Sequence, residues 1–205
     1  MNSTYFFTDF AKQAGEYARL KAQKTGDFIG LYGNASILAG AEVNAENTEI
    51  WQTLSHHQEV YVCPSAARRR GIDAVQGNPP RTGLRWLSLA SMLERMAIKS
   101  GDARTIDVCL ASDTDLARTE ALELCLAALA LDFNVQLSLR GPGVLGLQRS
   151  LGRVGAKGYA SLGLFGLPHA LISAAEIAES KLLPDALTLP WQLGVAAHVP
   201  LMFDF

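Results

Sequence analysis

The feature that most constrains the fold is an alternation, along the whole chain, of short apolar runs with helix-spaced segments. DFIGLYG (27–33), EVYVC (59–63), TIDVCLAS (105–112) and NVQLSL (134–139) are strand-like runs rich in β-branched and aromatic residues. Segments with apolar residues three and four apart lie between them. Strands that alternate with helices through mostly short loops predict an α/β fold: parallel sheets flanked by helices on both faces.

Read in order, the first helix spans about Asp9 to Lys24, with Phe10, Ala14, Tyr17, Ala18 and Leu20 on helical spacing and Asp9 as its cap. A small-residue loop from Asn34 to Ala45 follows the first strand. Glu46–His57 then reads as a short amphipathic helix with Ile50, Trp51 and Leu54 on one face. Pro64-Ser65 turns the chain out of EVYVC into a short helix over Ala66–Ile72, because proline is tolerated in a first helical turn. DAVQGNPPRT (73–82) is a loop, and Gly83–Lys99 reads as one helix. TYFF near the N-terminus is a weak strand signal, so the first half shows two clear strands, which leaves two readings open: a trimmed unit, or a sheet that borrows the strand at 105–111.

The same grammar starts again at Arg104. TIDVCLAS is followed by an apolar helix over Thr114–Leu131 and by the strand NVQLSL, after which RGPGVLG (140–146) is a glycine-rich loop. Further on, Leu147–Leu162 reads as a helix, LPHALIS (167–173) as a strand, Ala174–Lys181 and Trp191–Ala197 as short helices, and VPLMFDF (199–205) as a closing strand. The order of elements divides the chain into tandem halves, 1–103 and 104–205, with no close residue-level repeat.

Composition narrows the classes. Apolar residues make up 49% of the 205 and charged residues 19%, enough for a hydrophobic core. Eighteen Lys+Arg against 20 Asp+Glu leave a formal charge of −2, which argues against direct nucleic-acid binding. No apolar run reaches the roughly 20 residues of a membrane-spanning helix. The start MNSTYFFTDFAKQ has no basic segment ahead of a long apolar stretch, so the chain reads as cytoplasmic with no membrane partner.

The chemistry-bearing residues are few. No phosphate-loop, dinucleotide, nucleophile-elbow or zinc-protease motif occurs, RGPGVLG resembles a phosphate loop only weakly, and no cofactor is expected. His56, His57, His169 and His198 lack metal-ligand spacing, and Cys63, Cys109 and Cys125 are too few and too far apart for a zinc site or disulfide scaffold. Cys109 and Cys125 fall within apolar runs and read as core. Cys63 ends a strand and faces a helix start, followed by Arg68, Arg69 and Arg70, a setting that favours the thiolate. Position alone leaves two readings open: a reactive thiol at the strand ends where α/β sites gather, or a small buried core residue. The arginines are equally readable as a solvated helix face, with Arg81 and Arg85 able to extend a basic rim.

The segment EVYVCPSAARRRGI resembles the DsrE-like sulfur-relay family, most closely its TusD/DsrE branch. There a strand ends in cysteine, small residues follow, and a basic-Gly-aliphatic ending closes the motif; Cys63, Ala66, Ala67, Arg69, Arg70, Gly71 and Ile72 match in kind and spacing. DFIGLYGNASILAGAE, ENTEIWQTLSHH and GLRWLSLASMLERM resemble the elements around it. The second half resembles the TusC/DsrF branch through NVQLSLRGPGVLGL, ASLGLFGLPHALISAAEIAESKL and VPLMFDF, with the cysteine position falling near Ile172 or Ser173 and carrying no thiol.

The resemblance implies a cytoplasmic sulfur carrier on which Cys63 accepts a sulfane sulfur from an upstream donor protein and passes it to an acceptor cysteine. It implies service in tRNA 2-thiouridine synthesis or sulfur oxidation, a homo- or hetero-oligomer, and Arg68, Arg69 and Arg70 as groups stabilising the thiolate. The competing expectations are a noncatalytic scaffold of a relay complex and, from fold and the loop at Arg140–Gly146, a small-ligand- or nucleotide-binding α/β protein.

Overall fold

Four short strands at the start of the chain pair in parallel in the order in which they occur. They are β1 (Thr4–Phe7), β2 (Phe28–Leu31), β3 (Val60–Val62) and β4 (Leu84–Trp86). Their register sets Tyr5, Ile29, Val60 and Leu84 in one row across the sheet and Phe7, Leu31, Val62 and Trp86 in the next. Because side chains alternate along a strand, both rows project from one face. That face forms a core with Leu20 of α1 (Ala14–Ala22), Ile50 and Leu54 of α2 (Ala45–Leu54), Leu38 of a 3-10 segment (Gly33–Ala39), and Ala67 of α3 (Pro64–Arg68). Strands that advance in one direction through right-handed crossovers carry their connecting helices on a single face.

The opposite face carries the row Phe6, Gly30, Tyr61 and Arg85. It is covered by α4 (Leu89–Ser100), which leaves the last strand and is free to fold beneath the sheet. Phe6 lies over Gly30, where a Cβ would stand 2.8 Å from the ring and 3.4 Å from the sulfur of Met92 in α4. Arg95 of the same helix donates to the Tyr61 hydroxyl at 2.6 Å and stacks on its ring at 4.8 Å. Helices thus flank both faces of this sheet.

The second sheet has the order β8-β7-β6-β5-β9, again parallel throughout. Its strands are β5 (Thr105–Leu110), β6 (Asn134–Leu139), β7 (Ala170–Ile172), β8 (Trp191–Leu193) and β9 (Met202–Asp204). Helix α5 (Asp115–Leu129) packs on β5 and β6. It is capped by Thr114, whose hydroxyl accepts from the Ala117 amide at 3.2 Å. Its end turns at Asp132, which adopts φ 59°, with the Phe133 amide bonded back to Ala128.

This computed structural model describes residues 4–22, 28–40, 45–57, 59–72, 81, 83–100, 105–144, 162–167, 170–172, 191–193 and 202–204. The chain divides into two compact units, Met1–Ala103 and Arg104–Phe205. No helix among the described residues is long and apolar enough to cross a membrane.

The α/β class with parallel sheets is as expected, while three local readings are corrected. Leu84–Trp86 is a strand and the helix starts at Leu89, because pairing with β3 puts Leu84 into the core row and Ser88 caps the helix behind it. TYFF is a full strand, so the first sheet has four strands of its own, and 105–110 pairs with β6 and β9 in the second sheet. Trp191–Leu193 extends alongside β7 instead of forming a helix. The expected helix at 174–181, and that at 147–162 up to its last residue, lie outside the described residues, as do His169, His198 and Ser173.

Candidate functional site at the carboxyl edge of the first sheet

Three strand exits converge around Cys63. Its amide donates to the Leu31 carbonyl at 3.0 Å, continuing the ladder one residue beyond β3. Its φ of −72° and ψ of 119° keep it extended at the N-cap of α3, and its carbonyl accepts the first helical bond from Ala67 at 3.0 Å. Pro64 occupies the first helical position, where a missing N–H costs nothing. Ala66 and Ala67 are fully buried, small enough to let a single turn sit directly on the core.

The turn ends where the sequence demands it. Gly71 takes φ +76°, its amide donates to Arg68, and the Ile72 amide reaches back to Ala67, which is the double bond of a Schellman motif. Ile72 then packs against the cluster that contains Ala67. The alanine pair, the glycine and the following isoleucine of the motif therefore each have a structural reason for their place.

The Cys63 thiol is 1% exposed. Among the described residues its hydrogen-bond partner is the Ser65 hydroxyl, 3.1 Å away. Of the three arginines that follow, Arg70 is held by described partners away from the thiol. Arg68 is exposed, Arg69 is half-buried, and Arg70 donates to the Ala66 carbonyl at 3.0 Å and to Asn34 Oδ1 at 2.9 Å. Asn34 in turn donates to Asp9 Oδ2 at 2.9 Å. Asp9 caps the first turn through Oδ1, which accepts from the amides of Ala11 and Lys12. A polar chain thus runs across the exits of β1, β2 and β3, from Asp9 through Asn34 to Arg70.

Arg81 and Arg85 do not join it through any described hydrogen bond. Arg81 donates to the Gly40 carbonyl and stacks on Trp51 at 5.0 Å, and burial lowers its pKa. Arg85 is exposed on β4. Asn34, Asp9 and Ser65 were missed as site residues by the sequence reading; the available signal was that Asp9 and Asn34 are the polar residues just past successive strand ends.

All three cysteines are free and buried. Cys109 lies within β5, and Cys125 sits fully buried in α5, where burial pushes its thiol up to about 12. In RGPGVLG two glycines have structural reasons for their place: a Cβ on Gly143 would collide with the Leu110 carbonyl, only 2.6 Å from its carbon, and Gly141 takes φ +48°. No group of three metal-ligating side chains occurs among the described residues.

Comparison of the chain with protein-family models, with curated proteins and with solved structures finds no match.

Proposed function

We propose that the protein is a cytoplasmic sulfur-relay protein that carries sulfane sulfur as a persulfide on Cys63. The observation that carries this reading is the position of Cys63: the N-cap of α3 at the carboxyl end of a parallel strand, beside the Ser65 hydroxyl. Substrates of open α/β folds meet the protein at that edge. The resemblance of EVYVCPSAARRRGI to the DsrE-like motif supports the same reading, and extends it to a TusD/DsrE-like half, 1–103, and a TusC/DsrF-like half, 104–205.

In the transfer, the Cys63 thiolate attacks the outer sulfur of a donor persulfide. A new S–S bond forms on Cys63, the donor S–S bond breaks, and its electron pair leaves on the donor thiolate. The proton lost from Cys63 goes to solvent or to the released donor thiolate, and no external oxidant is consumed. A nucleophilic thiol on the acceptor protein then becomes persulfidated by the reverse geometry. Donor and acceptor are protein partners, within a homo- or hetero-oligomer serving tRNA thiolation or sulfur oxidation.

A second reading, a noncatalytic scaffold subunit of a relay complex, is favoured by one observation: the thiol is 1% exposed. The two are separated by incubation with a cysteine desulfurase, [³⁵S]cysteine and a sulfur-carrier protein. Label that is bound by the wild type, released by dithiothreitol and lost in Cys63→Ser marks the carrier. Absence of thiol-releasable label marks the scaffold.

A further inference from the structure

A thiol that is 1% exposed reacts only when something around it moves. The strand side is fixed, because the Cys63 amide is tied to Leu31 at the end of the ladder that joins β3 to β2. The movable side is α3, five residues long and too short to persist without tertiary contacts. Arg70, just beyond its C-terminus, grips the last turn through the Ala66 carbonyl and reaches with its other nitrogen to Asn34. Asn34 is exposed, but it is held in turn by Asp9, whose other oxygen is committed to the backbone of the turn ahead of α1. Gln13 fixes that turn from below: its buried amide oxygen accepts from the Thr8 and Asp9 amides, and its nitrogen donates to the Phe6 carbonyl.

We infer that the chain Asp9–Asn34–Arg70 is a latch that holds α3 closed over Cys63 and sets how often the thiol becomes available. The chain is anchored at β1 and gripped at α3, so its middle link adds to the hold that the burial of Ala66 and Ala67 gives α3. Its Asp9–Asn34 and Asn34–Arg70 bonds are exposed to solvent, hence able to exchange with water or with a partner's polar groups. A docking protein that offers an acceptor to Arg70 would open α3 where the donor sulfur arrives. The relevance of the latch to sulfur transfer rests on the function proposed above; its existence does not.

The test is the rate of iodoacetamide labelling at each cysteine of the whole protein, read by peptide mass spectrometry, in the wild type and in Asn34→Ala. The expected result is labelling of Cys63 about two- to tenfold faster in the variant, the range that loss of such hydrogen bonds gives, with Cys109 and Cys125 unchanged. An unchanged Cys63 rate overturns the latch, and so does a parallel rise at all three cysteines, which reports global loosening. Arg70→Met keeps the stem, removes both donors and gives the same reading if Asn34→Ala does not fold. Faster labelling of Cys63 in a protein that takes up no sulfur upholds the latch and removes the carrier function. Sulfur uptake with labelling indifferent to both substitutions does the reverse.

Discussion

The Ile72 amide donates to the Ala67 carbonyl at 3.1 Å, across a glycine held at φ +76°. This one bond joins the segment that leaves α3 to its last turn, and through the burial of Ala67 it ties the segment after Cys63 to the sheet. A side chain at residue 71 is strained in this conformation although open space surrounds it. Gly71→Ala is therefore expected to lower unfolding free energy by about 1 kcal/mol. Urea denaturation measures it, and an unchanged midpoint would show that α3 ends in another way.

Gly143 is constrained for a different reason. Its φ is ordinary, but its Cα approaches the Leu110 carbonyl so closely that a methyl group has no room. Gly143→Ala is expected to cost about 1–3 kcal/mol through displacement of the turn after β6, seen as a lower thermal midpoint. A neutral effect would return the loop to candidacy as a ligand cradle.

Cys125 gives a pH dependence with a definite sign. Its thiol is raised from an ordinary value of 9.0 to about 12 by burial in α5. In the unfolded chain the group loses its proton first, so its stabilising effect is complete below pH 9.0 and declines as pH rises toward 12. The difference in thermal midpoint between the wild type and Cys125→Ala, measured from neutral pH into that window, is expected to shift against the wild type. A constant difference would mean that the thiol is hydrated in the folded protein.

Much of this architecture is legible in the chain itself. The buried runs around Ile29, Val60, Val108 and Leu137 read as strands because β-branched and aliphatic residues cluster between turn signals. Pro64 behind a strand marks the start of α3. Leu84–Trp86 misleads because Leu84, Leu87, Met92 and Met96 also fit a helical period, and a three-residue strand is too short to display its own. Ser88, whose hydroxyl accepts from the Ser91 amide at 3.2 Å, was the cue that a helix begins only there. TYFF shows no alternation between apolar and polar residues because both of its faces are covered.

At the candidate site, the place of Cys63 between a strand and a helix start was readable and its surroundings were not. Arg70 reads as a neighbour of the thiol, yet its guanidinium reaches Asn34, 36 residues earlier. Sequence proximity along a one-turn helix does not fix which way a long side chain folds back. The chain from Asp9 to Asn34 depends on the pairing of β1 with β2, which no local pattern contains.

The most direct measurement is the mass of the intact protein, with peptide mapping, after exposure to a cysteine desulfurase, cysteine and a sulfur carrier, for the wild type and Cys63→Ser. The persulfide account expects the gain of a single sulfur atom, mapped to Cys63, reversed by reductant and missing from the variant. No gain in the wild type, or sulfur borne equally by Cys63→Ser, would contradict it.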